Sequence, residues 1–81
     1  MLIRVNMVLS NHARAACIER GIVFEWIERS LGNSVSIQRD SISSSLLHAL
    51  ISVPERDGRV LRVIYNPDVH PVRIVTVFFD R

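Results

Sequence analysis

Apolar and polar positions alternate over residues 2–9, where Leu2, Val5, Met7 and Leu9 stand among apolar neighbours, and a period of two predicts a strand. Ser10 is a good helix N-cap. Residues 11–20 then place Ala13, Ala16, Cys17 and Arg20 on one stripe at three- and four-residue spacing, which predicts a short helix. Gly21 stands where a left-handed C-cap belongs, with Ile22 as the hydrophobic contact after it. A second helix follows over residues 23–31. Phe24, Ile27 and Leu31 share its face, Glu25 pairs with Arg29 at the favoured spacing, and Gly32 ends it. Trp26 points elsewhere from Ile27, either to the edge of the core or to a partner surface.

Beyond Gly32 the period shortens. Residues 34–38 alternate like an edge strand, and the polar residues 39–45 read as a loop. Residues 46–53 fit either period. Their surroundings decide: 54–58 has turn chemistry and 59–66 is plainly a strand, so a hairpin is the economical reading. A second turn over 66–71 leads into a closing strand over 72–80. The order is β-α-α-β-β-β-β, a small α+β domain with two helices on one face of an antiparallel sheet.

Strand residues alternate sides. If the two turns bring Arg62 near Ser52 and Thr76, the odd positions Leu47, Ala49, Ile51, Val53, Leu61, Val63, Tyr65, Val75, Val77 and Phe79 share an apolar face under the helices. His48, Ser52, Arg62 and Thr76 then fall on the other face among Leu50, Val60, Ile64, Ile74 and Phe78. A slip of one residue would scatter them. Three readings of that face stand: a solvated surface, a cleft, or the seam of a homodimer.

Composition narrows the class. The 81 residues allow one domain, 1–81, and at 48% hydrophobic and 22% charged the chain is not disordered. No apolar run approaches the ~20 residues of a membrane span. The start lacks a basic lead and a small-residue processing site, so the expected location is cytoplasmic, with no membrane partner. Cys17 is the single cysteine and reads as core rather than as a nucleophile. Three scattered histidines and one cysteine lack zinc spacing, and there is neither a glycine-rich phosphate loop nor a nucleophile elbow, so no metal or cofactor is expected. All ten basic residues are arginine against eight acids, a net charge of +2. The field is weak, but a guanidinium fork matches phosphate better than an ammonium does.

Three stretches carry a resemblance: Ser10-Asn11-His12-Ala13-Arg14 through Glu19-Arg20-Gly21-Ile22; Asp40 followed by Leu47-His48; and Gly58-Arg59-Val60-Leu61-Arg62-Val63-Ile64-Tyr65-Asn66 with Val75-Thr76-Val77-Phe78-Phe79-Asp80-Arg81. Together they resemble a family of small bacterial proteins classed as a domain of unknown function. A helix-opening His-Ala pair and a late-strand Thr mark that family, and it is similar to RelE-like and BrnT-like toxins of toxin–antitoxin pairs. The chain departs from it at Ala16, where relatives carry an Arg, and at Val23, where they carry a capping Ser or Asp. The resemblance implies RNA cleavage without a metal, and RNA and an antitoxin protein as partners.

Such cleavage needs a base for the 2′-hydroxyl, an acid for the leaving oxygen and cations for the developing charge. His12, His48, Arg62 and Thr76 are the candidate catalytic residues, and Arg14, Arg20 and Arg81 the candidate RNA contacts. At a helix start His12 is favoured as the neutral ring that a base requires, or it packs against the sheet and helps cap the turn. His48 is a catalyst or a polar residue on the outer face, and Thr76 a donor to phosphate or a strand former. His70 lies in an exposed turn. Proximity of His12 and Arg62 in one cleft is the sharpest geometric expectation. A toxin-like ribonuclease, a non-enzymatic binding module and an inactive dimeric relative all remain open.

Overall fold

The computed structural model describes residues 6–34 and 36–80. Its elements run β1 (Met7–Leu9), α1 (Asn11–Arg20), α2 (Phe24–Asn33), β2 (Ser36–Arg39), β3 (Leu47–Val53), a 3₁₀ turn (Pro54–Arg56), β4 (Arg59–Asn66) and β5 (Val72–Phe79). The expected strand over residues 2–5, and Arg81, lie outside the described residues.

Local chemistry sets the helix ends. The Ser10 hydroxyl accepts from the Ala13 amide at 3.0 Å and donates to the Val75 carbonyl at 2.9 Å, so one side chain caps α1 and ties it to β5. Gly21 ends α1 at φ 63°, where the Ile22 amide reaches back to the Cys17 carbonyl at 3.0 Å. Helix α2 starts at Val23 without a side-chain cap, although Glu25 in its first turn suits the helix dipole. It continues through Gly32 to Asn33 rather than ending at the glycine.

Among the described residues the strands form one five-stranded sheet in the order β1-β5-β4-β3-β2. The hairpin and meander pair antiparallel as expected, with β2 on the edge beside β3. The β1 strand, in contrast, pairs parallel with β5, Met7 beside Val72 and Leu9 beside Ile74, so the sheet is mixed. An isolated short strand carries no local signal for its partner; here the connection between the parallel partners runs through both helices and the whole β2–β4 stretch.

The expected face assignment holds in the hairpin even though its register is shifted by two: Arg62 lies opposite Leu50 and Phe78, not Ser52 and Thr76. A shift of two preserves every side-chain direction. Ala49, Ile51, Val53, Leu61, Val63, Tyr65 and Val77 are buried with Ala13, Ala16, Ile22, Trp26 and Ile27 from the helices. One strand departs. Ile64 faces Thr76 but Tyr65 faces Ile74, so β5 bulges at Val75. The bulge turns Ile74 into the core, fully buried against expectation, and leaves Val75 unpaired and half-buried.

On α2, Trp26 and Ile27 carry the buried face, whereas Phe24 is half exposed. Trp26 meets Phe79 edge-on at 6.2 Å, which settles it as core. Ser30 is buried beside them, its hydroxyl donating to the Ile27 carbonyl at 2.7 Å. Arg29 pairs with Glu25 at 3.5 Å and holds both oxygens of Glu55 at 2.8 and 3.0 Å, joining α2 to the β3–β4 turn. Among the described residues no helix is long and apolar enough to cross a membrane.

Candidate functional site on the open face

With both helices on one side, the even positions of β3, β4 and the end of β5 face outward. Gln38 of β2 lies opposite His48, and His48 opposite Ile64. Arg62 is two residues from Ile64 on the same face, diagonal to His48 and within reach of it. Asp80 stands two residues past Phe78, which faces Arg62. The pleat therefore gathers Gln38, His48, Arg62 and Asp80 without any loop to aim them.

These side chains form a continuous hydrogen-bonded chain. Arg62 grips Asp80 through Nε and Nη2 at 2.8 and 2.9 Å. Its Nη1 lies 2.9 Å from His48 Nδ1 and 3.3 Å from Gln38 Oε1. His48 Nε2 lies 2.6 Å from Asp40 Oδ1. A guanidinium only donates, so Nδ1 accepts, the ring proton sits on Nε2, and Nε2–H donates to Asp40. The fold thus fixes the tautomer of His48.

Asp40 belongs to the β2–β3 loop. Its other oxygen, Oδ2, accepts from the amides of Ser43 at 2.8 Å and Ile42 at 3.1 Å. The Ser43 amide first, then the His48 ring, then the Ile42 amide hold its carboxyl down at about 2. Asp80 is likewise held below the usual carboxylate range, mainly by Arg62, whose own guanidinium is raised by the same bond. Both carboxylates are ionised at neutral pH and aligned on one cation and one imidazole. His48 is 15% exposed and Arg62 20%, sheltered yet open to a ligand.

The expected residues divide between the two sides of the sheet. His48 and Arg62 come together. Thr76 shares their face and the row of His48 and Ile64, but Ile64 stands between it and the histidine, two strand spacings or about 10 Å across. His12 does not join them. It is exposed on the first turn of α1, on the helix side, while the Arg62 guanidinium is on the other side of the sheet. The expected shared cleft is therefore overturned: parity sends Arg62 away from the layer that carries His12. Arg20 lies at the end of α1 with Nη1 3.4 Å from the Val77 carbonyl, also on the helix side.

Arg14 lines a cavity of about 280 Å³ with Leu9, Cys17, Ile18, Ile22 and Phe24. The Cys17 thiol there is raised by burial, which disfavours the thiolate that a nucleophile needs. His70 is exposed in its turn. Among the described residues no group of three or more His, Cys, Asp or Glu converges as a metal site.

Asp40, Asp80 and Gln38 are the members that the site-residue reading of the sequence missed. Parity puts Gln38 and Asp80 on the face of Arg62 and His48, and the strand register brings them into contact. Asp40 was visible only as part of a family pattern, because its position depends on how the loop closes on the Ser43 and Ile42 amides.

No curated protein and no solved structure matches the chain. One protein family does, over residues 9–79, a span that contains every described member of the network except Asp80. The chain belongs to that family, described as Domain of unknown function (DUF4258).

Proposed function

We propose that this chain is a toxin-like, metal-independent ribonuclease of a toxin–antitoxin type, acting in the cytoplasm, with its chemistry on the open face of the sheet. The observation that carries the reading is His48 held between a carboxylate at 2.6 Å and a guanidinium at 2.9 Å on a surface that the helices leave uncovered. A phosphodiester oxygen replaces His48 and Gln38 as the acceptor at Arg62 Nη1. This frees Nδ1 to take the proton of the adjacent 2′-hydroxyl. The 2′-oxygen bonds to phosphorus, the bond to the 5′-oxygen breaks, and that oxygen takes a proton from water. The products are a 2′,3′-cyclic phosphate and a 5′-hydroxyl. Asp40 keeps Nε2–H in place and stabilises the imidazolium, while Asp80 holds Arg62 flat toward the phosphate.

The same face supports a second reading. Leu50, Ile64 and Phe78 are only half-buried around the network, so an antitoxin or a second copy of the chain has apolar surface to cover. The deciding experiment incubates the protein with single-stranded RNA and with the 2′-O-methyl form of the same strand, both with EDTA present. The ribonuclease reading expects cyclic-phosphate ends from the first and none from the second. Intact RNA in every condition, ribosomes included, leaves the binding-module reading.

A further inference from the structure

A second group of arginines collects on the other side of the sheet. Arg56 closes the 3₁₀ turn after β3, Arg59 opens β4, and Arg20 closes α1. The Arg56 guanidinium lies over both Trp26, at 5.9 Å, and Phe79, at 5.1 Å. Arg59 lies over the same Phe79 ring at 4.9 Å. Arg56 Nη2 donates to the Arg20 carbonyl at 3.1 Å, which sets its guanidinium beside the left-handed Gly21 that ends α1.

Phe79 thus holds two like charges on one ring, and the bond from Arg56 to the Arg20 carbonyl brings the end of α1 beside them, where the Arg20 guanidinium reaches the Val77 carbonyl of the same strand at 3.4 Å. Among the described residues no carboxylate pairs with Arg20, Arg56 or Arg59, whereas Arg29 and Arg62 both have one. Glu55, adjacent to Arg56 in the chain, is committed to Arg29 instead. Gathered cations without a counter-charge, held by stacking that leaves N–H edges free, suit a phosphate.

The location gives the ligand. Arg59 and Arg62 are three residues apart at the start of β4, about 10 Å of extended chain. Phe79, which ends β5, and Asp80 just after it are their respective neighbours at the same rim, where the Asp80 amide bonds the Val60 carbonyl at 2.8 Å. The arginine cluster and the Arg62–Asp80 end of the network therefore approach one rim of the sheet on opposite sides, while His48, opposite Ile64, lies further along β4. We propose that Arg20, Arg56 and Arg59 form a second phosphate-binding subsite, which takes the flanking backbone of the single-stranded RNA whose scissile phosphate lies at Arg62. The choice of RNA rests on the ribonuclease reading.

The test is the binding of a short fluorescein-labelled 2′-O-methyl RNA, followed by anisotropy between about 50 and 200 mM salt. Wild type is compared with Arg56→Gln/Arg59→Gln, with Arg56→Lys/Arg59→Lys, and with the control Arg73→Gln at the opposite end of β5. Each lost phosphate contact removes about 0.7 from the slope of log affinity against log salt. The double Gln variant is expected to bind at least ~10-fold more weakly with a slope shallower by roughly 1 to 1.5. The Lys variant should keep most of the slope and lose part of the affinity, which guards against misfolding of the Gln variant as the cause. The Arg73 control should bind nearly as wild type.

Equal losses in the control and the double Gln variant would overturn the subsite as a mere net-charge effect, and so would wild-type affinity in the double variant. Tighter binding of polyglutamate than of RNA would overturn it in favour of an acidic protein partner. Cleavage of unmodified RNA, followed separately, bears on the ribonuclease reading alone. Bound but uncut RNA sinks that reading and leaves the subsite standing.

Discussion

The two sides of the sheet are built from the same strands and dispose of polar groups in opposite ways. On the helix-covered side the buried positions of β3 and β4 are apolar, and among the described residues the one buried polar residue, Ser30, returns its hydroxyl to its own helix. On the open side, the described members Asp40, His48, Arg62 and Asp80, with Gln38, satisfy one another in series. Fold stability requires the first arrangement and not the second, because the half-buried Leu50, Ile64 and Phe78 show that apolar residues fit between those polar groups. A polar chain retained where packing does not demand it is where ligand chemistry is to be sought.

The contrast is broken most forcefully in the core. Leu61 is fully buried in the middle of the covered side, and Leu61→Ala should destabilise by about 2–5 kcal/mol in a denaturant titration. Arg62, the next residue, points the other way. Arg62→Met should lower stability by only about 1 kcal/mol while reducing RNA cleavage by ~10²-fold or more, since it removes the cation opposite the phosphate. A melt as damaged as that of Leu61→Ala would make the open-face network structural and dissolve the distinction. Ser10→Ala removes the α1 cap and its tie to β5, and should cost about 1 kcal/mol by the same titration.

Acid sharpens the comparison further. Asp40 is depressed from 3.8 to about 2 and Glu55 from 4.5 to about 2, the first by the Ser43 amide and His48, the second by Arg29. A lowered carboxylate stabilises the fold above its unfolded value and loses that contribution as pH falls through its folded value. Melting temperature should thus decline between about pH 4.5 and 2. Asp40→Asn should flatten only its own share of that decline.

Much of this could be read along the chain before any coordinates. The Ser10 cap, the Gly21 stop, the hairpin and the closing strand each rest on residues within a few positions of one another. The open face was legible because strand parity is insensitive to a two-residue shift. Three features needed long-range information. Parallel pairing of β1 depends on what the helices bring beside β5. The bulge at Val75 brings Ile74 into the core with no glycine to announce it. The separation of His12 from Arg62 follows from which side α1 covers, which the sequence of α1 does not state.

The account turns on which histidine serves the chemistry. The direct measurement is the initial rate of RNA cleavage, with EDTA present, by His48→Ala and His12→Ala side by side. Loss of a general base should slow His48→Ala by ~10²–10⁴-fold. His12→Ala, an exposed substitution on the far side of the sheet, should cleave as wild type and melt within ~0.5 kcal/mol of it. A silent His48 together with an inactive His12→Ala would contradict the account and return the active site to the helix side.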